Sequence, residues 1–143
     1  MTNTSKYSSA WVAAAYDSVG EREWDRFSRT PADRVNLFIH EQYLRRFVPP
    51  GSRVLEVGPG PGRFTQILAD MGCRIFVTDI SPGQLDAHRK YAANLNFDSA
   101  VEERRCLDVC DLRGLNADSF DAVVCYGGPL SYVFDQALAG SDE

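Results

Sequence analysis

The segment Val54–Phe64, VLEVGPGPGRF, places the strongest constraint on how this chain can fold. It begins as a short aliphatic run, which predicts a β-strand, and it continues as an amphipathic run, which predicts a helix. Between the two stand Gly58, Gly60 and Gly62, so the turn exposes main chain without side chains at alternate positions. A ligand can pack directly against such a turn, and the first turn of the following helix offers it free N–H groups.

The rest of the chain alternates between strand and helix patterns, which predicts an α/β fold with a parallel sheet. The predicted strands are Arg53–Val57, Arg74–Asp79, Glu103–Val109 and Phe120–Tyr126, and the predicted helices are Arg63–Met71, Ser81–Asn94 and Leu130–Leu138. Right-handed crossovers then give a three-layer αβα, Rossmann-like sheet of about four strands in the order 3-2-1-4. Ligands of such sheets bind beyond the carboxyl ends of the strands, where the strand order reverses.

The residues before the first strand predict helices outside this alternation. Residues 1–29 are interpreted as an N-terminal helical arm or lid, and residues 30–143 as the ligand-binding domain. Thr30 and Pro31 are typical of a helix start. Apolar residues then recur at helical spacing and are expected to face the core: Val35, Phe38, Ile39, Tyr43, Leu44 and Phe47.

The predicted strand ends bring Glu56, Asp79, Asp108 and Tyr126 to one crevice. Asp79 can accept both hydroxyls of a ribose, or it can be an acid at a helix start that the helix dipole favours. Glu56 can brace the glycine loop through backbone N–H groups, contact the ligand, or do both.

A base-binding site is also consistent with this pattern. Asp108 can accept an exocyclic amine while Val109 and Ile80 pack on the two faces of the ring. The simpler alternatives are a turn aspartate for Asp108 and a core residue for Ile80.

Two common phosphate-binding loops are excluded by the spacing of the glycines. A dinucleotide fingerprint needs a third glycine where Arg63 stands, and no Gly-Lys-Ser/Thr follows the loop as in a Walker motif. A ligand with one positive centre and a ribose fits the segment better than a pyrophosphate or a triphosphate.

Taken together, the motifs resemble those of class I S-adenosylmethionine-dependent methyltransferases over residues 30–138. The matching segments are VLEVGPGPG at 54–62, VTDIS at 77–81, LDV at 107–109 and SFDAVV at 119–124. The resemblance implies these cofactor-binding positions: Glu56, Gly58, Gly60, Gly62, Asp79, Ile80, Asp108, Val109, Tyr126 and Gly127. It also implies that Tyr16 closes over the methionine part of the cofactor, for which core packing is the alternative.

The implied reaction is SN2 transfer of the sulfonium methyl group, which leaves S-adenosylhomocysteine. A general base is needed only if the acceptor must lose a proton. No catalytic residue is assigned, because His40 and His88 are both interpreted as structural. After the fourth strand, Tyr126–Pro129 departs from the Asn/Asp-Pro-Pro-Tyr motif of enzymes that methylate base amines, which favours a small-molecule acceptor.

In that family the sheet usually continues beyond four strands, so the chain resembles the N-terminal part of a methyltransferase. The alternative function is therefore a cofactor-binding or partner-binding module without turnover of its own. Strand four would also form an exposed apolar edge, which predicts self-association, as a homodimer, through that edge or its helix.

Composition limits the partners and the compartment. The net charge of −5 disfavours nucleic acid and anionic membranes, and no apolar run reaches the roughly 20 residues that span a bilayer. The four cysteines form no C-x-x-C pair, so we expect no metal site. Reduced cysteines and the lack of a signal peptide predict a cytoplasmic protein.

Overall fold

One parallel sheet organises the molecule, for which a computed structural model describes residues 7–132. Its strands are β1 (Arg53–Val57), β2 (Arg74–Asp79), β3 (Val101–Cys106) and β4 (Ala122–Val124). They lie in the order β3-β2-β1-β4, and all three pairings are parallel. This confirms the α/β class and the predicted strand order.

The α-helices follow from local capping signals in the sequence. They are α1 (Ser9–Val19), α2 (Pro31–Phe47), α3 (Arg63–Asp70) and α4 (Pro82–Asn94), and a 3₁₀ segment, Gly20–Phe27, follows α1. Thr30 and Asp33 form a reciprocal capping box at the start of α2. The Ser81 hydroxyl accepts from the Gln84 amide at the start of α4.

Side chains alternate across the sheet and divide the core in two. On one face, Val54, Ile75 and Val77 pack with Phe64 and Leu68 of α3, and Leu44 and Leu85 bring α2 and α4 into the same cluster. The cluster on the opposite face is smaller. In it Leu55, Val57 and Phe76 pack with four partly buried residues: Val109, Leu115, Phe120 and Cys125.

The segment between β3 and β4, for which no helix is predicted, contributes little regular structure to the layer over the smaller face. Between β3 and β4 the described chain forms one short 3₁₀ turn, Ala117–Ser119, and no α-helix. The predicted helix Leu130–Leu138 begins within a 3₁₀ turn, Pro129–Tyr132, and the rest of it lies outside the described residues. No described helix is long and apolar enough to cross a bilayer.

Two predicted strands are shorter than expected. β3 ends at Cys106 and not at Val109, because the Asp108 carboxylate accepts from the Cys110 amide and forms a turn instead of continuing the ladder. β4 is confined to Ala122–Val124, after which positive φ angles at Gly127 and Gly128 turn the chain away. Asp108 was expected to end the third strand. It lies instead beyond the end of β3.

The expected core face of α2 is largely wrong. Only Leu44 is buried, whereas the other five expected core residues are exposed: Val35, Phe38, Ile39, Tyr43 and Phe47. Only a narrow stripe of α2 packs on the core. Within residues 7–132 the sheet ends at β4, so no described element covers the five exposed apolar side chains of this helix.

A pair of alanine substitutions on α2 tests this division. Leu44→Ala is expected to lower the free energy of unfolding by about 2–5 kcal/mol, because it opens a cavity in the core. Phe38→Ala, at a side chain that is 60% exposed, is expected to change it by no more than about 0.5 kcal/mol. Urea denaturation followed by circular dichroism measures both, and equal losses would contradict the assigned orientation of α2.

Candidate functional site

A cleft lies at the carboxyl ends of the strands, between the glycine loop and the N-terminal segment. Eight of the residues predicted for the cofactor site line it: Tyr16, Gly58, Gly60, Asp79, Ile80, Val109, Tyr126 and Gly127. The other three, Glu56, Gly62 and Asp108, do not line it. Glu56 accepts a hydrogen bond from Thr65 behind the glycine loop, and Gly62 lies against His88. Asp108 accepts from the Tyr7 hydroxyl, and Tyr7 lines the cleft.

The glycines of the loop have different physical reasons for lacking a side chain. Gly58, Gly60 and Gly62 all have positive φ angles, at 66°, 58° and 101°. A Cβ at Gly62 would meet His88 at 2.9 Å, so that glycine permits close helix packing rather than ligand contact. A Cβ at Gly58 would meet Pro129 Cγ at 2.5 Å, so the loop also packs directly on the turn that follows β4.

The Asp79 carboxylate is the polar centre of the cleft. It is buried, and its two oxygens accept from the Gly60 amide at 3.1 Å and from the Ser81 amide at 3.0 Å. Burial raises the pKa of Asp79, and these amides oppose that shift. Each carboxylate oxygen has two acceptor positions, so the group can bind both amides and still accept hydroxyls from a ligand.

Behind the loop, Glu56 ends a chain of buried hydrogen bonds. Arg104 Nε donates to His88 Nδ1 at 2.9 Å, and arginine can only donate, so the proton of the neutral ring lies on Nε2. His88 Nε2 then donates to the Thr65 hydroxyl at 2.9 Å, and that hydroxyl donates to Glu56 Oε2. Four elements, β3, α4, α3 and β1, are joined by this chain.

The protonation of these two buried groups follows from their burial. Burial raises the pKa of Glu56 to about 8, and the neighbouring Asp79 charge acts in the same direction. Burial lowers the pKa of His88 to about 3, and the Arg104 charge adds to it. At neutral pH the imidazole is therefore neutral, and the Glu56 carboxyl is mostly protonated unless a cation lies beside it.

The N-terminal segment closes the cleft, and several hydrogen bonds attach it to the rest of the fold. Asp17 Oδ1 accepts from the Gly83 amide at 2.8 Å and from the Ser81 hydroxyl, at the start of α4. Gln84 Nε2 donates to the carbonyl oxygens of Tyr16 and Gly20, at 2.9 and 3.0 Å. At the other end of the cleft, the Tyr7 hydroxyl donates to Asp108 Oδ1 at 2.8 Å.

Sequence analysis missed several residues that line the cleft: Tyr7, Glu23, Arg26, Arg63 and Thr78. The Arg63 guanidinium lies 4.6 Å from the centre of the Trp24 ring, which stacks on Tyr91. Arg63 Nε and Thr78 Oγ1 are buried without a hydrogen-bond partner among the described residues, so the cleft wall has unused polar capacity. No motif marks Glu23 or Arg26, because they come from the arm.

Metal ligands are not grouped in the part of the chain that the structure describes. Nowhere in it do three or more His, Cys, Asp or Glu side chains come together in a way that would hold a metal ion. All four cysteines are free thiols. The polar groups of the cleft are therefore arranged around the glycine loop and Asp79.

Comparison with known proteins agrees with this geometry. The sequence profile of the family described as "Methyltransferase domain" matches residues 54–140, which include the glycine loop, Asp79 and β4. The chain belongs to this family.

Relatives of this methyltransferase domain are longer proteins. Ubiquinone biosynthesis O-methyltransferase of Xanthomonas axonopodis pv. citri (strain 306) is 30% identical over 112 residues, which are 77% of this chain and 45% of that protein. The chain thus spans about half the length of the curated relatives it matches.

Solved structures share the fold. A putative S-adenosyl-L-methionine-dependent methyltransferase from Methanococcus maripaludis superposes with a TM-score of 0.67 at 21% identity, over 97% of this chain and 58% of that one. Magnesium protoporphyrin IX methyltransferase from Synechocystis PCC 6803, solved with bound SAM, gives 0.64 at 20% identity, over 87% of this chain and 64% of that one.

The pKa of Glu56 gives this domain a testable pH dependence. The folded chain holds the Glu56 proton up to about pH 8, whereas the unfolded chain releases it near 4.5, so stability falls as pH rises through that window. Below about pH 6.5, His88 makes the stability rise with pH, because its pKa is lower in the folded chain than in the unfolded chain. The effect of Glu56 is therefore best measured between about pH 6.5 and 8. Without cofactor, Glu56→Gln is expected to flatten the decline in the free energy of unfolding over that range.

The measurement is urea denaturation at several pH values, with Glu21→Gln as the matched control. Glu21 is exposed and pairs with Lys90, so its replacement is expected to leave the pH dependence of the unmodified chain intact. A Glu56→Gln profile that is parallel to that of the unmodified chain would show that the proton is not held at this site.

Proposed function

We propose that this domain binds S-adenosylmethionine in the cleft and transfers its methyl group to a small-molecule acceptor, leaving S-adenosylhomocysteine. The observation that carries the proposal is the buried Asp79 carboxylate, which is tied to the Gly60 amide of the glycine loop. A carboxylate that can accept hydroxyl groups thus lies next to the main chain of the glycine loop, at the carboxyl ends of the strands. Membership of the methyltransferase domain family supports this assignment.

The residues of the cleft fit the parts of this cofactor. Asp79 would accept the ribose hydroxyls, and Ile80 and Val109 would pack against the adenine ring. The Asp108 carboxylate would accept a hydrogen bond from the adenine amine. The Tyr7 hydroxyl, which donates to Asp108 Oδ1 at 2.8 Å, would either compete with that amine or donate beside it. The main chain at Gly58 and Gly60 would lie against the methionine part.

Glu56 would respond to the charge of the cofactor. A cationic amine near a buried carboxyl favours the charged form and lowers its pKa. The Thr65 hydroxyl already donates to Glu56, which lies behind the loop. The negative charge on Glu56 would therefore form without a movement of β1.

The cofactor supplies an electrophilic methyl group on a sulfonium, and the chain supplies alignment. Tyr126 and Gly127 line the end of the cleft at which the acceptor would approach. Holding the two reacting atoms in line accounts for much of the catalysis that such a transfer needs. The N-terminal arm, residues 1–29, would act as a lid, since Tyr16 lines the cleft and Asp17 fixes the arm to α4.

A small-molecule acceptor is supported by the relatives and by the charge of the chain. The Xanthomonas relative is named for ubiquinone biosynthesis, and the Synechocystis structure is named for a porphyrin. A net charge of −5 is unfavourable for binding nucleic acid or an anionic membrane. The four free thiols are consistent with the cytoplasm as its compartment.

We also infer that the chain self-associates as a homodimer through the β4 edge. Within residues 7–132, β4 lies at one edge of the four-stranded sheet, and Val123 is 63% exposed. An exposed edge strand with an apolar side chain favours pairing with another chain.

Calorimetry with S-adenosylhomocysteine and S-adenosylmethionine tests the cofactor proposal. Asp79→Ala is expected to weaken binding of both by at least about tenfold, because the hydroxyls lose a charged acceptor worth roughly 1.5–3 kcal/mol. Asp86→Ala on α4, where the side chain is 76% exposed, is the matched control and is expected to bind like the unmodified chain.

The outcomes separate the two functions. No heat with either nucleoside on the folded, unmodified chain would refute the cofactor site. Binding without methyl transfer to any member of a metabolite panel would favour a cofactor-binding module over an enzyme.

Light scattering on a size-exclusion column tests the self-association. Val123→Lys is expected to shift the chain towards the monomer, because a charge on an edge strand opposes pairing. Leu95→Lys, at a residue that is 42% exposed beyond α4, is expected to leave the assembly unchanged. A monomer at high concentration for the unmodified chain would contradict the proposal.

A further inference from the structure

A second cavity of about 320 Å³ adjoins the cleft on the side of α1. One face of that helix forms its outer wall, with Trp11, Val12, Ala15, Tyr16 and Val19. Its inner end is formed by Glu23, Arg26 and Gly127. The cavity is therefore built mostly by the arm, which the family motifs do not cover.

The two cavities adjoin each other. Five residues line both of them: Val12, Tyr16, Glu23, Arg26 and Gly127. Gly127 has no side chain to fill the junction, and a Cβ there would lie 3.7 Å from Arg26 Nη1. A molecule in the second cavity would therefore lie next to the end of the cleft at which methyl transfer would occur.

The wall of the second cavity selects for a flat apolar body. Trp11 and Tyr16 offer aromatic surface, and Val12, Ala15 and Val19 offer aliphatic surface. Such surfaces bind aromatic rings well, and small-molecule sites typically combine them with a few polar groups that fix the orientation.

The polar groups at the inner end are a single ion pair. Arg26 Nη1 donates to Glu23 Oε1 at 2.9 Å, so the pair has no excess charge with which to attract a polyanion. The Glu23 carboxylate can accept from a hydroxyl of the ligand, and the Arg26 guanidinium can stabilise negative charge on that oxygen.

We propose that this second cavity binds the methyl acceptor, and that the acceptor is an aromatic alcohol of the phenol type whose hydroxyl faces Glu23. The inference rests on the proposed function, since the methyl donor would lie in the neighbouring cleft. It assigns to the arm a role in selecting the substrate, in addition to covering the cofactor.

The transfer balances with these groups alone. The hydroxyl proton passes to the Glu23 carboxylate, and an oxygen lone pair forms the new O–CH₃ bond. The S–CH₃ bond breaks and leaves its electron pair on sulfur, so the sulfonium becomes a thioether. The positive charge lost at sulfur is balanced by the proton that Glu23 gains.

The first test is an NMR titration with 2-naphthol, with and without S-adenosylhomocysteine. Ala15→Leu fills the second cavity without touching the cleft, and it is expected to weaken 2-naphthol binding by at least about tenfold. Ala14→Leu, one residue away and exposed, is the matched control and is expected to bind normally. S-adenosylhomocysteine should bind all three proteins within about twofold.

The second test concerns Glu23. Glu23→Gln is expected to lower kcat for methyl transfer to 2-naphthol by about 10²-fold or more, because a positioned base is lost, with a smaller effect on KM. Glu21→Gln, which is exposed and paired with Lys90, is expected to retain the rate. 2-Methoxynaphthalene, which has no hydroxyl to donate, should bind more weakly than 2-naphthol.

Failure of the inference can be told apart from failure of the proposed function. If S-adenosylhomocysteine binds but 2-naphthol does not, or binds Ala15→Leu as tightly as the unmodified chain, the inference is overturned. An unchanged kcat in Glu23→Gln overturns the role of that carboxylate. If 2-naphthol binds as expected and S-adenosylhomocysteine does not, the cavity assignment stands and the proposed function fails.

Discussion

The hydrogen bonds of the Asp79 carboxylate connect the sheet, the glycine loop and α4. The carboxylate ends β2, and its oxygens accept from the Gly60 amide of the loop and the Ser81 amide at the start of α4. A buried carboxylate is costly unless hydrogen bonds satisfy it, so these amides and the strand end stabilise one another. This group helps to fix the position of the loop relative to the strands, and the cleft depends on that position.

The chain of hydrogen bonds behind the loop has a complementary effect. Arg104, His88, Thr65 and Glu56 each have a hydrogen-bond partner, and the chain that they form joins β3, α4, α3 and β1. Because every member must be satisfied in a low-dielectric interior, the chain favours one arrangement of α3 and α4 over near alternatives. The loop is thereby held from both sides.

The fold was largely predictable because β1, β2 and β4 are short, mostly apolar runs and because turn or capping residues separate the predicted elements. Arg53–Val57 and Arg74–Asp79 agree with the predicted bounds, since both are flanked by turn residues. The exposed face of α2, with Phe38 at 60% exposure, was not predictable, because helical periodicity shows which residues share a face and not what covers it. The sequence also contains no signal for Glu23 or Arg26 in the cleft, because a tertiary contact of the arm places them there.

The contact of Asp17 with α4 has a consequence for how the chain is divided. Residues 1–29 and 30–143 differ in pattern, yet Asp17 of the arm satisfies the Gly83 amide in the first turn of α4. An amide in that turn has no partner within its own helix, so a carboxylate supplied from elsewhere completes the helix end. The boundary near residue 29 stays a prediction from the sequence motifs, and this contact joins the two parts across it. We expect a fragment that begins at residue 30 to leave the Gly83 amide without the Asp17 carboxylate.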